Sequence, residues 1–334
     1  MVLRALAIIS LIAAHSVAAS AQERVTVGTM RLTANGALFL AAAQGYFKAE
    51  GLDVQLTAYQ SEKEVADALA AGATEFGVAS FTPAAFNYAG RGLIKIIAAQ
   101  VREKTDSEGN EIVVSDAAFA RGVRKFEDLA KTSVAITQLG SQFHYQLGQI
   151  ARVKQFDFAS MTLKPMQTYD AMARAVGTGQ ADVAILPGPY ARELLVAAPV
   201  KLIGWYSQID QQQLGALFAS ATAIETKRAV VEKFVRAYQR GAADYWTMVR
   251  VDLHGKRFAN AKTREMATII ARYVYPGQPI GSAAATVEAG AYYMDPQARL
   301  EFADIERQVE WYKAQGLIDR TVDAKEIVDE SFVK

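Results

Sequence analysis

Gly72-Ala-Thr-Glu-Phe-Gly-Val78 returns without a gap as Gly179-Gln-Ala-Asp-Val-Ala-Ile185. Each stretch is a glycine, two residues, an acid, and an apolar run entering a loop with proline. Any α/β chain repeats units of this kind, so the match alone leaves two readings: ordinary repetition, or two similar lobes. The surrounding sequence favours lobes. Outward from Gly72, Val25 to Thr29 reads as a strand and Gly36 to Lys48 as a helix with Phe39, Ala42, Ala43, Tyr46 and Phe47 on one face. Gly51 sits where a left-handed cap belongs, and Val54 and Leu56 alternate through a strand. Ser61-Glu-Lys-Glu64 is a capping box, Thr82-Pro83 opens a further helix, and Leu93 to Ala99 is a buried-type strand. Such alternation predicts a parallel sheet covered by helices.

A second pass begins near Ser133, with strands at 133–136, 162–166, 181–186 and 200–204 and helices between them. Arg102 to Arg124 reads as a crossing followed by a projecting hairpin or loop. After Gly204 the pattern is helical, with no third sheet. Thr226 is expected to cap a helix with Val230, Phe234, Tyr238 and Ala242 inward. Asp295-Pro296 is expected to open another, with Phe302, Ile305, Val309 and Tyr312 inward and Gly316 closing it. The fold class that follows is α/β, two doubly wound lobes. The expected division is 1–21, 22–101 (first lobe), 102–204 (second lobe) and 205–334 (the remainder of the first lobe).

Met1 to Ala21 has the form of a secretory signal. Arg4 is the positive region, Ala5 to Ala14 the apolar core, and Ala19-Ser-Ala21 the small-x-small cleavage pattern, so cleavage falls before Gln22. The apolar core spans about 10 residues, whereas a membrane crossing needs about 20. Without Arg4 the chain has 35 basic and 35 acidic residues (36 less one, against 35), so it has no concentrated charge with which to bind nucleic acid. There is no cysteine, which excludes disulfides, thiolate metal sites and a cysteine nucleophile. With 334 residues, 51% of them hydrophobic, the chain is long enough for about two domains.

No hydrolase, P-loop or dinucleotide motif is present, no carboxylate pair stands out, and the pattern calls for no catalytic residue, metal or cofactor. Two histidines follow the signal. His254 lies in a polar stretch and reads as a solvated loop residue; His144, three residues beyond Ser141, is either packed in its helix or faces a ligand. Ligands of open α/β sheets bind beyond the carboxyl ends of the strands. The loops there are 30–36, 80–83, 138–142 and 186–190, and Asn35, Thr82, Ser141 and Pro189 suit helix starts. Four such mouths on two lobes can converge on one cleft, or each can merely cap its own helix. Arg31 is either a ligand-facing charge or half of a surface ion pair. Trp205 either stacks on a ligand or fills the hinge. A small oxyanion would lean on helix N-termini and Arg31, and a planar ring on Phe81, Tyr190 and Trp205. Tyr292, Tyr293 and Trp311 read as core.

Gly45-Tyr-Phe-Lys-Ala-Glu-Gly-Leu-Asp-Val54 resembles the periplasmic solute-binding proteins of ABC importers, in the group for nitrate, sulfonates, taurine and thiamine-precursor pyrimidines. Gly72 to Val78, Phe126-Glu-Asp-Leu129, Gly140-Ser141 with His144-Tyr145, and Gly179 to Asp182 extend the match. The resemblance implies lobes joined by a two-strand hinge and a small-molecule cleft. By position, that cleft would use Thr33, Asn35, Ser80, Phe81, Thr82, Gly140, Ser141, Gln142, His144, Gly188 and Tyr190. It also implies an exported, periplasmic monomer that delivers its solute to a permease with its ATPase and touches the membrane only through that partner. A related enzyme branch makes the thiamine pyrimidine at a site rich in cysteine and histidine, and this chain lacks the cysteine. The alternatives are a secreted enzyme acting on a pyrimidine-like substrate through His144, and a ligand sensor for a membrane receptor.

Overall fold

The computed structural model describes residues 22–105, 107–249 and 260–333. The leader and His254 lie outside them. Twelve strands are formed: β1 Glu23–Thr29, β2 Leu52–Ala58, β3 Phe76–Ser80, β4 Ile94–Ala99, β5 Arg102–Glu103, β6 Glu111–Ser115, β7 Ser133–Ile136, β8 Thr162–Pro165, β9 Val183–Leu186, β10 Val200–Trp205, β11 Gln212–Gln213 and β12 Gly215–Ser220. They make one sheet ordered β2-β1-β3-β12-β4, a second ordered β8-β7-β9-β6-β10, and the short ribbon β5-β11. The two large sheets have the same plan. In each, the three strands at one side run parallel, and the fourth enters antiparallel.

The repeat seen in the sequence is reproduced atom by atom. Gly72 and Gly179 both have φ of +75°, the left-handed turn that a side chain would strain. The amide of Glu75 donates to the carbonyl and hydroxyl of Thr26, and the amide of Asp182 does the same to Ser133. In return, the Glu75 and Asp182 carboxylates accept from the amides of Thr26 and Ser133. The acid thus clips the start of its strand to the neighbouring parallel strand, which sets the register in both lobes.

The hinge explains two departures from the expected layout. Arg102 to Arg124 does not project: β6 lies inside the second sheet, between β9 and β10. A strand after Gly204 was not expected, yet β12 fills the equivalent place in the first sheet. Each lobe therefore receives its antiparallel strand just after the chain has crossed through β5 or β11. Smaller corrections are local. The helix expected over Gly36 to Lys48 breaks into Gly36–Ala43 and Tyr46–Ala49 at left-handed Gly45. Thr226 ends the helix Ala221–Thr226 and spends its hydroxyl on Thr222, so Arg228–Trp246 starts without that cap. Asp295 holds a turn by accepting from the amides of Gln297 and Arg299, and the helix starts later, at Phe302–Ala314. The inward residues Val230, Phe234, Tyr238, Ala242, Ile305, Val309 and Tyr312 are buried as expected.

The β5-β11 crossing is buried but polar. Glu103 accepts from the Asn110 amide at 2.8 Å, Asn110 Nδ2 donates to Gln146 at 3.1 Å, and Gln146 donates to Gln212 at 2.8 Å. Tyr292 donates its hydroxyl to Asn110 at 2.6 Å. Burial pushes the Glu103 carboxyl up to about 7, against hydrogen bonds that favour its charged form. A folded-state pKa raised in this way gives stability that is complete below the ordinary carboxyl range and lost as pH rises through about 7. Over that window the loss is on the order of 3 kcal/mol. Thermal unfolding of the native chain is therefore expected at a lower temperature near pH 8 than near pH 5, and Glu103→Gln is expected to flatten that slope. An unchanged slope in the variant would assign the effect to other groups.

Candidate functional site

The strand tips of both sheets face one crevice between the lobes. It has two compartments, of about 210 and 70 Å³, that share Leu32, Ser80, Gln142, Tyr169 and Tyr190 as walls. The larger is built by Gln60, Ser61, Glu62, Phe81 and Thr82 from the first lobe, facing Thr137, Gln138, Ser141, Gln167, Thr168 and Asp170 from the second. The smaller lies toward the hinge, where Arg31, Thr33, Gln100, Leu214, Tyr275 and Tyr292 face Pro187 and Pro189.

Four helices begin at this crevice with a hydroxyl cap. Ser61, Thr82, Ser141 and Thr168 each accept from an amide three residues on, at 3.2 to 3.4 Å. The caps thus serve their own helices and also fix the mouths of the crevice. Thr82 is followed by Pro83, whose missing N–H is not needed at that position.

Of the residues expected at the site, Arg31, Thr33, Ser80, Phe81, Thr82, Ser141, Gln142 and Tyr190 line the crevice. Arg31 is exposed, and no ion pair to it is found among the described residues. Phe81 is almost wholly buried, its ring stacked on Phe86 with centroids 5.1 Å apart, so it forms floor rather than wall. Five expected residues are placed elsewhere. Asn35 is buried beneath its loop, donating to Thr29 and the Met30 carbonyl at 2.9 Å and accepting from Gln100. Gly140 lies outside the walls and donates its amide to His144 Nδ1 at 3.0 Å. His144 is buried against Phe158 and Trp311, with centroids 5.5 and 5.0 Å away. Burial pulls its pKa down to about 4, so at neutral pH it is an uncharged acceptor turned away from the crevice. Gly188 begins the helix Gly188–Ala197 without reaching the space that Pro187 and Pro189 line. Trp205 ends edge strand β10 opposite Glu111.

The residues not anticipated are Gln60, Glu62, Gln167, Tyr169, Asp170, Tyr275 and Tyr292. The first five follow β2 and β8, where the rule of strand carboxyl ends and the hydroxyls of Ser61 and Thr168 were available as signals. Tyr292 was read as core; it is buried, but it also closes the hinge-side compartment. Tyr169 and Tyr190 meet edge-on at 5.1 Å, 66° between planes. Burial raises the Tyr190 phenol to about 12 and holds Tyr169 well above its ordinary value, so both rings are neutral hydrogen-bonding groups.

The lobes touch on both flanks of the crevice. A Cβ on Gly140 would lie 2.5 Å from Pro83 Cγ, and one on Gly290 would lie 2.3 Å from Pro189 Cγ. Tyr312 donates to the Gly140 carbonyl at 3.0 Å, and Arg192 to the Ala289 carbonyl at 2.6 Å.

This geometry, two like lobes closing on an aromatic crevice over a two-strand hinge, is that of the periplasmic-binding-protein fold. The sequence matches the family described as "NMT1/THI5 like" over residues 33–247, and the chain belongs to that family. No curated protein matches the sequence. Among solved structures, it is similar to the periplasmic aliphatic sulphonate binding protein SsuA from Escherichia coli (15% identity, TM-score 0.71, 92% of each chain covered). It is similar too to the alkanesulfonate-binding protein SsuA from Xanthomonas axonopodis pv. citri bound to MOPS (16% identity, TM-score 0.67, covering 94% of this chain and 100% of that one). The desulfurization enzyme DSZB shares the fold at 13% identity and TM-score 0.59, with 93% of this chain and 97% of that one covered. Among the described residues, no helix is long and apolar enough to cross a membrane.

Gly290 has φ of −95°, which any residue accepts, so Gly290→Ala tests contact without backbone strain. The added methyl is expected to hold the lobes apart and weaken solute binding by roughly tenfold or more through faster release, with little change in thermal stability. Calorimetry and stopped-flow release measure this; unchanged affinity would mean that the flank contact does not matter to capture.

Proposed function

We propose that the chain is an extracytoplasmic solute-binding protein that captures a small metabolite between its lobes and delivers it to an ABC permease. The observation that carries this reading is the shared crevice: strand tips of both sheets, four helix mouths and the hinge all bound one space of a size for a single small molecule. Capture follows from population shift. A solute that touches both lobes favours the closed arrangement by the contacts available only there, and closure removes it from water. The closed pair then presents a surface that the open pair lacks, which is what a permease can read. The signal-like leader, the family and the fold support export and transport. Cleavage before Gln22 and a monomeric state belong to the same reading.

A non-enzymatic role is favoured by the placement of His144. It is the one histidine among the described residues, and it is buried away from the crevice. Between a small oxyanion such as nitrate or a sulfonate and a planar heteroaromatic such as a pyrimidine, the walls favour the ring. Tyr169, Tyr190, Tyr275 and Tyr292 offer flat apolar area with polar tips. The hydroxyl caps accept from amides of their own helices and would have only their O–H groups to offer an anion.

Calorimetry against nitrate, alkanesulfonates, pyrimidines, aromatic acids and aromatic amines is expected to find a planar ligand with a Kd of about 1 μM or below. Recovery of that solute unaltered from the complex is expected as well. Tyr190→Ala should weaken its binding by roughly tenfold or more while leaving the melting temperature nearly unchanged. Absence of binding across the whole panel, or conversion of the solute, would overturn the transport reading.

A further inference from the structure

The larger compartment carries a charge pattern that goes beyond fold and family. Glu62, first residue of the helix Glu62–Ala70, places its carboxylate on the wall, and Asp170 stands across from it on the second lobe. Among the described residues lining this compartment there is no basic side chain. Neither a hydrogen bond nor an ion pair to another side chain is found for Glu62 among the described residues, although many acids of the chain are paired. Loss of water around it raises its pKa, opposed only by a hydrogen bond from its own backbone amide, so no basic side chain offsets the carboxylate. Tyr169 lies close enough to feel that charge, and its edge-on contact with Tyr190 sets two electron-rich rings beside the acid.

A sulfonate in this space would meet a carboxylate that no basic side chain of the compartment offsets. Two like charges in a partly desolvated crevice repel far more than in water. At two of the four helix N-termini around this space, those capped by Ser61 and Thr168, the position that an external anion would use is taken by the protein's own acids, Glu62 and Asp170; the helices capped by Thr82 and Ser141 carry no acid in the first turn. Arg31 does not reverse this balance, because it belongs to the neighbouring compartment and is exposed, where water and salt screen it. A carboxylate beside aromatic faces is instead the combination that holds a cationic nitrogen: the acid accepts its N–H groups, and the rings attract its charge.

We infer that Glu62, with Tyr169 and Tyr190, is the specificity-determining subsite for a protonated nitrogen group, of amine or amidine type, on a small planar solute. This rests on the solute-binding reading above and selects within it: the chain takes cationic rings and rejects the sulfonates named for its structural neighbours. Asp170, exposed at the rim, adds to the local field.

Benzamidine and benzenesulfonate share a ring and differ in charge, so they probe this choice directly. Calorimetry on the native chain is expected to give tighter binding of benzamidine, by roughly tenfold or more. Glu62→Gln keeps the size of the side chain and is expected to weaken benzamidine by roughly 10- to 100-fold while improving benzenesulfonate. Equal or tighter binding of benzenesulfonate by the native chain overturns the inference. So does a Glu62→Gln variant with an unchanged ratio, or failure of both probes to bind at about 10 mM. If that happens while a member of the broader solute panel still binds, the transport reading stands and only the assignment of Glu62 falls. If nothing in that panel binds, the transport reading falls with it.

Discussion

The structure depends on a pair of strands that must cross a lobe boundary without leaving bare backbone. β5 and β11 solve this by pairing with each other, Glu103 opposite Gln212 and Arg102 opposite Gln213. Their side chains extend the pairing into a buried polar net. Gln213 donates its backbone amide to Asp304 at 2.6 Å and its side-chain amide to the Gly215 carbonyl at 2.8 Å, and Gln308 bridges Asp304 and Gln213. Hydrogen bonds of this kind add little net stability each, but leaving a member unpaired in a dry interior is costly; within the net, Glu103 Oε2 and Gln213 Oε1 have no partner among the described residues. The crossing is thus confined to one path, and both lobes inherit their orientation from it. The exchange of β6 and β12 between the lobes follows, because each begins within a few residues of the crossing.

From that frame the crevice follows with few further requirements. Identical sheet plans aim identical strand ends at each other, so the loops after β1, β2 and β3 oppose those after β7, β8 and β9. Hydroxyl caps then hold the first turn of each covering helix. What is left for a solute is what the caps do not use: Tyr169 and Tyr190 at the centre, Tyr275 and Tyr292 toward the hinge, and the acids Glu62 and Asp170. On the proposed reading, selectivity is set by a few side chains on a shared scaffold. The same fold accommodates sulphonate binding in one neighbour and desulfurization in another.

Much of this was legible in the sequence. The glycine–acid–strand unit at Gly72 and Gly179 is local: a left-handed glycine ends a helix, and an acid clips the next strand to its neighbour. Both signals lie within a few residues of their effect. β12 was not legible, because Gly215 to Ser220 is short and apolar, and its place is decided by distant partners in β3 and β4. The site divides in the same way. Loops beyond strand ends were correctly located, but the direction of a side chain depends on what it packs against. Asn35 turns to Gln100, and His144 turns to Trp311, from helix Phe302–Ala314; each partner is remote in sequence. Tyr275 and Tyr292 reach the crevice from the segments that follow the helices Ala261–Val274 and Ile280–Ala289, and no local pattern marks them.

The central claim is that the lobes shut on a captured solute by rotation at this hinge. The absence of cysteine allows clean labelling of two exposed sites on opposite lobes, one on each of two helices that begin at the crevice, as Lys63→Cys and Arg174→Cys. Electron–electron distance measurement between spin labels there, with and without the tightest-binding solute of the panel, tests the claim most directly. The account predicts a longer or broader distance distribution in the free chain that collapses to a single shorter one at saturation. One distance, unchanged by saturating solute, would contradict it.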